Sequence, residues 1–238
     1  GFKLRVVSET EEEIGGGARV VRRLTLGTKA TQQGIPLLVS WEKSLPLRQV
    51  EAGGDRRSWP AASRPPRLVA APGEPVPTGG ADPILCCVEP FLTGSYLTPL
   101  AQTGRNTGVM RFEGYNLTDD AWRVLDIVLA SVWLERVLGS RVHLEARGAA
   151  GAWGLAAAAL SESVASAELE LAGVEDDEES LVEHLYVPHL MRLGGLEMLL
   201  RLCTPRPLTL RGASPSLAER ARAAYAASGA GERLATAV

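Results

Sequence analysis

The stretch of this 238-residue chain with the clearest chemical layout runs from Arg141 to Gly154. It reads as a strand, a tight turn of small residues, then a helix. That is the layout in which a G-x-S-x-G turn lifts a nucleophilic serine above a sheet. Laid on that pattern, the turn is Ala146-Arg147-Gly148-Ala149-Ala150, with Gly148 in the nucleophile's place. Glycine has no oxygen to attack an acyl carbon, so covalent ester chemistry at this position is excluded. The turn itself survives, because glycine enters a strained backbone conformation without a Cβ penalty. The catalytic set expected from this turn is therefore empty. What remains is a helix start at Gly148, Ala149 and Ala150, an anion-binding candidate through its backbone N–H groups.

Other nucleophiles are weaker candidates. Ser95, in Thr93-Gly94-Ser95-Tyr96, follows an expected strand and is the alternative nucleophile. Against it stands the ordinary occurrence of serine in turns. Ser214 precedes Pro215 and suits a helix N-cap. Ser161 and Ser163 lie past the Ala-rich helix, away from the rim where the turn sits. His143 falls inside the strand before the turn. His184 and His189 flank Val187-Pro188, and with Glu183 they match no metal-ligand spacing. The acidic run from Glu175 to Glu179 lacks the spaced ligands and central glycine of a calcium loop and reads as a solvated loop. Asp126 reads as an ion-pairing helix residue, with Arg123 or Arg136 as partner. No metal and no cofactor is expected.

These residues need a scaffold, and the sequence outlines one. Thr118 to Leu138 is the clearest helix, with Thr118 as cap, Asp119 and Asp120 in the first turn, and Gly139 as stop. Val20 to Leu26 and Leu37 to Trp41 read as an antiparallel strand pair. Ile84 to Val88 is a continuous apolar run that suits a strand buried on both faces. Its adjacent Cys86 and Cys87 then point to opposite faces and do not pair with each other. Further strands are expected at 67–71, 142–146, 167–171, 207–210 and 234–238, and further helices at 148–160, 188–203 and 215–228. Strands alternating with helices predict right-handed crossovers in a mostly parallel α/β sheet with helices on both faces and antiparallel N-terminal edge strands. Residues 1–19, acidic and then glycine-rich, read as an arm or linker, and 20–238 as the domain. Residues 43–66, rich in proline and arginine, read as a long surface loop.

Composition excludes several classes. A net charge of −3 argues against a nucleic-acid partner. No apolar stretch of about 20 residues appears, so no membrane span is expected. No charged n-region precedes an apolar h-region, so no signal peptide is read. A start at Gly1-Phe2-Lys3 fits a processed chain or a fragment of something longer.

Several segments resemble the α/β-hydrolase fold, in particular large bacterial proteins of the acetyl xylan esterase-like kind. Gly114-Tyr115-Asn116 and the helix from Trp122 to Ile127 resemble the region before the nucleophile turn. Residues 141–160 resemble the turn's strand and helix. Gly194-Gly195-Leu196 and the stretch from Leu202 to Leu208 resemble a later helix and strand, and Pro90 to Gly94 resembles a loop after an earlier strand. The resemblance covers roughly residues 20–238. It implies a carboxylic ester hydrolase lineage, in which a second hydrolase-like domain can follow an active one.

The departures from that pattern decide the reading. The acid expected after the strand at 207–210 would fall in Arg211-Gly212-Ala213-Ser214, which holds no carboxylate. The base expected after the last strand is absent, since no histidine follows His189. A catalytically degenerate domain with a structural or interaction role follows, its partner an adjacent hydrolase domain or another copy of itself. The alternative is an ester hydrolase with a non-standard site or one completed by another chain.

Overall fold

The computed structural model describes residues 4–27, 34–52, 55–74, 82–94 and 117–237. Along the chain come β1 (Arg5–Ile14), β2 (Arg19–Gly27), β3 (Ile35–Glu42), β4 (Leu47–Ala52), β5 (Asp55–Pro60), β6 (Arg67–Ala70) and β7 (Ile84–Val88). Then follow α1 (Asp119–Leu138), β8 (Val142–Ala146), α2 (Ala150–Leu160), β9 (Val164–Glu170), α3 (Glu178–His184), α4 (Gly195–Cys203), β10 (Leu208–Arg211), α5 (Pro215–Ala227) and β11 (Leu234–Ala237). Among the described residues nine strands form one sheet in the order β1-β2-β3-β7-β6-β8-β9-β10-β11, and β4 and β5 form a separate hairpin. The pairs from β1 through β3 to β7 are antiparallel. From β7 through β11 every pair is parallel. The mostly parallel α/β sheet with an antiparallel N-terminal edge is as the sequence implies.

Register sorts the strand residues into two unlike faces. Val39, Cys86, Leu68, Leu144, Ala167 and Leu208 are partners across six strands. All are buried in one cluster with residues of each described α-helix, including Ile127, Leu155, Leu181, Leu196 and Tyr225. The neighbouring row on the other face is Leu38, Cys87, Val69, Glu145, Glu168 and Thr209. It begins apolar and becomes polar at β8. The described helices thus share the first face, not both faces as the alternation of strands and helices implies, because right-handed crossovers that all step the same way from β7 to β11 deliver them to one side. Cys86 and Cys87 fall in separate clusters, one on each face, and both are free thiols.

Local chemistry sets the element ends. Thr118 Oγ1 accepts from Ala121 N at 3.2 Å and caps α1, and Gly139 at φ 78° closes it. The α2 helix carries glycines where it meets the sheet. A Cβ on Gly151 would run into the Glu170 carbonyl, and one on Gly154 into the Ala146 Cβ. This is why the helix can lie so close to β8 and β9.

Four sequence expectations need correction. Residues 8–14 form most of β1 rather than a flexible turn, because cations across the sheet take up their charge: Glu9 and Glu11 pair with Arg22, Glu12 with Arg23, and Glu13 with Lys43. Residues 47–60 are the β4–β5 hairpin rather than a loop. Trp59 anchors it, edge-on to Trp133 of α1 with centroids 5.0 Å apart, while the Arg22 guanidinium lies 4.4 Å from the Trp59 ring. The acidic run at 175–179 starts α3, with Asp177 accepting from Ser180 N at 2.8 Å as N-cap. The helix expected over 188–203 is broken: Gly194 and Gly195 both take positive φ, and α4 begins only at Gly195.

Candidate functional site

In an open parallel sheet, ligands bind beyond the carboxyl ends of the strands. There β8 ends at Ala146 and turns into α2. The turn is closed by backbone bonds from Arg147 N to Ala70 O, Ala150 N to Arg147 O and Gly151 N to Gly148 O, each 3.0 Å. Gly148 has φ +52°, and a Cβ built on it meets nothing within 4 Å. The position to which the pattern would assign a nucleophile thus lies in the left-handed region, with open space above it.

A carboxylate stands beside it. Glu170, the last residue of β9, accepts from Gly148 N through Oε2 at 3.0 Å. Of the three residues of the anion-binding candidate, Gly148 N thus donates to Glu170 and Ala150 N to Arg147 O. Ala149 is exposed, and no acceptor for its N–H occurs among the described residues. Trp153 is buried on the helix side, where the Arg123 guanidinium lies 4.6 Å from its ring, so it does not fill the space above the turn.

The polar sheet face continues from this turn. Glu145, Ala146, Arg147, Glu168, Glu170 and Arg211 line a cavity of about 280 Å³. Arg147 bonds Glu145 through Nε at 2.5 Å and Glu74 at 3.1 Å. Burial pulls the Arg147 guanidinium's pKa down, but its bonds to Glu145 and Glu74 outweigh that and leave it raised. Arg67 bridges Glu145 at 2.5 Å and Asp82 at 2.9 Å, and Arg211 holds Glu168 at 2.5 Å. Around the cavity three carboxylates face two guanidiniums, and both guanidiniums are paired. Glu170 is the carboxylate that the backbone holds.

The other residues singled out by sequence are scattered. Ser95 lies outside the described residues, as do Gly114, Tyr115 and Asn116. Ser214 caps α5, accepting from Leu217 N at 3.2 Å, and donates to Glu175 Oε2 at 2.7 Å. His143 Nδ1 and Ser166 Oγ are 2.8 Å apart on the second face. That pair has no catalytic surroundings, because it sits within paired strands whose ladder uses the backbone N–H groups an oxyanion would need. His184 stands 3.9 Å from Glu183, and exposed His189 sits at φ 69°. Among the described residues no histidine hydrogen-bonds to the turn. Burial pushes the Cys87 thiol up to about 12 and that of Cys203 up to about 11, far from thiolate nucleophiles. Among the described residues no group of three or more His, Cys, Asp or Glu is placed to hold a metal ion.

Asp126 is not the ion-pairing surface residue read from sequence. It is 3% exposed, and burial pushes its carboxyl pKa up to about 7, against a smaller downward pull from the Phe91 backbone N–H. Arg123, its expected partner, instead donates to Phe91 O at 3.1 Å and to Asp120 Oδ1 at 2.7 Å. Together these side chains tie the loop after β7 to α1.

No protein-family model matches the chain, and no curated protein matches it. Solved structures do. One is a Bacteroides fragilis protein assigned as an acetyl xylan esterase, at TM-score 0.67 and 12% identity, covering 98% of this chain and 69% of that one. A glucuronoyl esterase from Solibacter usitatus follows at TM-score 0.60 and 14% identity, covering 96% and 74%. A promiscuous CE15 esterase from a marine bacterial metagenome gives TM-score 0.59 and 12% identity, covering 95% and 74%. At these identities the likeness is one of fold, and it agrees with the strand order, the crossovers and the turn after β8: this chain has the α/β-hydrolase fold.

Proposed function

We propose that this chain is a catalytically degenerate hydrolase domain, serving a structural or interaction role and part of a larger esterase-like protein. The observation that carries the reading is Gly148. It keeps the left-handed turn of a nucleophile and supplies no nucleophile. Two further observations support it. The loop after β10 offers Ser214 as a helix cap and no carboxylate of its own. Among the described residues the group bonded to the Gly148 N–H is the chain's own Glu170. A triad needs a nucleophile, a base and an orienting acid in mutual reach, and neither the nucleophile nor the acid stands at its expected place.

The esterase neighbours favour a second reading: a carboxylic ester hydrolase similar to acetyl xylan esterases, with a non-standard or trans-completed site and Ser95 as nucleophile. A serine-reactive fluorophosphonate probe separates the two. The degenerate reading expects no adduct by intact-mass measurement on the folded chain. An adduct mapped to Ser95, lost in Ser95→Ala, supports the second reading.

A further inference from the structure

We propose that Asp126 and Arg123 of α1 form a pH-operated latch on the loop after β7, closed while Asp126 carries a proton and released when it ionises. The loop, residues 89–94, is held to α1 at Phe91 in three ways. Its backbone N–H donates to Asp126, its carbonyl accepts from Arg123 Nε at 3.1 Å, and its ring packs against Trp122 with centroids 6.1 Å apart. The loop is also a compact and strained turn. Thr93 returns to Pro90 O through its backbone N–H at 3.0 Å and its Oγ1 at 2.6 Å. Leu92 stands at φ 55°, a conformation that side chains resist and that the clasp on Phe91 must hold.

The carboxyl under Phe91 is placed to suit its neutral form. Asp126 is buried, and its Oδ2 has no hydrogen-bond partner among the described residues. A carboxylate in such a place is costly, while the protonated acid is tolerated. Neighbouring charges do not relieve it. Arg123 is engaged by Phe91 O, by Asp120 Oδ1 at 2.7 Å and by the face of Trp153 on α2. Asp120 is shared between Arg123 and Tyr186 N. Glu89, on the loop itself, belongs to the second sheet face, beside Cys87 and Gly94. Burial accordingly pushes the Asp126 carboxyl up to about 7.

A second arrangement of the same side chains suits the ionised form. Arg123 and Asp126 are three residues apart, the spacing at which opposite charges meet along a helix. When Phe91 lifts, water reaches Asp126 and the Arg123 guanidinium loses its carbonyl acceptor, so the two can pair. Protonated Asp126 under a seated Phe91 therefore competes with an Arg123–Asp126 ion pair under a lifted loop, and pH sets the balance between them. The loop stands at the rim of the candidate site. With Gly73 and Glu74 it lines a cavity of about 40 Å³, and Glu74 is bonded to Arg147 of the turn after β8 at 3.1 Å.

Hydrogen exchange of the full chain at about pH 5 and about pH 8, normalised for the chemical exchange rate at each pH, tests the latch. In the wild type the Phe91 and Thr93 amides should exchange about tenfold or more faster at the higher pH, and there should outrun the amides of β8 and β9. Asp126→Asn cannot ionise and should show no such change. Arg123→Gln keeps a donor for Phe91 O but gives the released form no cation, so its change should be smaller. A wild-type loop that exchanges alike at both pH values overturns the proposal. So does a loop that stays in step with β8 and β9, or a change that is undiminished in Asp126→Asn.

Discussion

The Glu170 carboxylate accepts a hydrogen bond from the backbone N–H of Gly148 at 3.0 Å, so the turn after β8 is engaged by the chain's own acid. The contact links the ends of two parallel strands across the α2 start. It also ties this turn to the polar sheet face, where Glu145, Glu168 and Arg211 stand.

Gly148→Ser is the direct probe of that position. Space for the side chain exists, since a Cβ there meets nothing within 4 Å. The cost is backbone strain at positive φ, about 1–2 kcal/mol. A melting temperature lower by about 2–8 °C is expected for a chain of this size. Esterase activity should not appear, because among the described residues no histidine bonds to the turn to take the serine proton. A clear gain of turnover in this variant would mean that a base and an acid are already in place.

Gly151 and Gly154 should tolerate much less. Alanine at Gly151 drives a Cβ into the Glu170 carbonyl, a backbone atom that cannot swing aside. The helix or the strand must shift, at a cost of about 3 kcal/mol or more. Chemical denaturation of Gly151→Ala beside Gly148→Ala reads the difference. Equal losses would show that α2 is free to move off the sheet.

Asp126 should set a pH dependence. Its carboxyl rises from 3.8 to about 7 in the folded chain, chiefly through burial. Between those values the folded state holds a proton that the unfolded state has released, so stability falls as pH rises from about 4 to 7. At about 1.36 kcal/mol per unit, the loss is on the order of 4 kcal/mol. Asp126→Asn keeps an acceptor for the Phe91 N–H and has no charge to bury. Its denaturation midpoint should vary less over this range and exceed wild type at pH 8. Parallel pH profiles for the two proteins would refute the assignment.

Trp59 should be a large stability determinant although it lies in a two-stranded hairpin outside the main sheet. Fully buried, it packs edge-on to Trp133 and under Arg22. Trp59→Ala should cost about 3–5 kcal/mol. A loss below 1 kcal/mol in urea titration would mean that the hairpin docks loosely.

The parts legible in the sequence are those with a strong period or a sharp stop. The helix from Thr118 to Gly139 has a cap, an acidic first turn and a glycine at its end, and it forms with those boundaries. The apolar run at Ile84–Val88 places Cys86 and Cys87 on opposite faces, as alternation requires. What stayed hidden depends on partners far along the chain. Glu9 and Glu11 look like a solvated acidic run until Arg22 is brought across from β2. The hairpin at 47–60 looks like a loop because its anchor, Trp59, finds its pocket only once α1 delivers Trp133. Glu170 is not legible at the candidate site for the same reason. Its place beside the turn follows from the pairing of β8 with β9, and its sequence neighbours give no sign of it. Gly148, in contrast, was legible from its own position in a strand–turn–helix pattern.

Hydrolysis of a short activated acyl ester by the purified, folded chain, with Ser95→Ala measured alongside, decides whether the proposed loss of acyl transfer holds. Neither protein is expected to exceed the buffer rate. Turnover by wild type that disappears in Ser95→Ala would contradict it and place the nucleophile at Ser95.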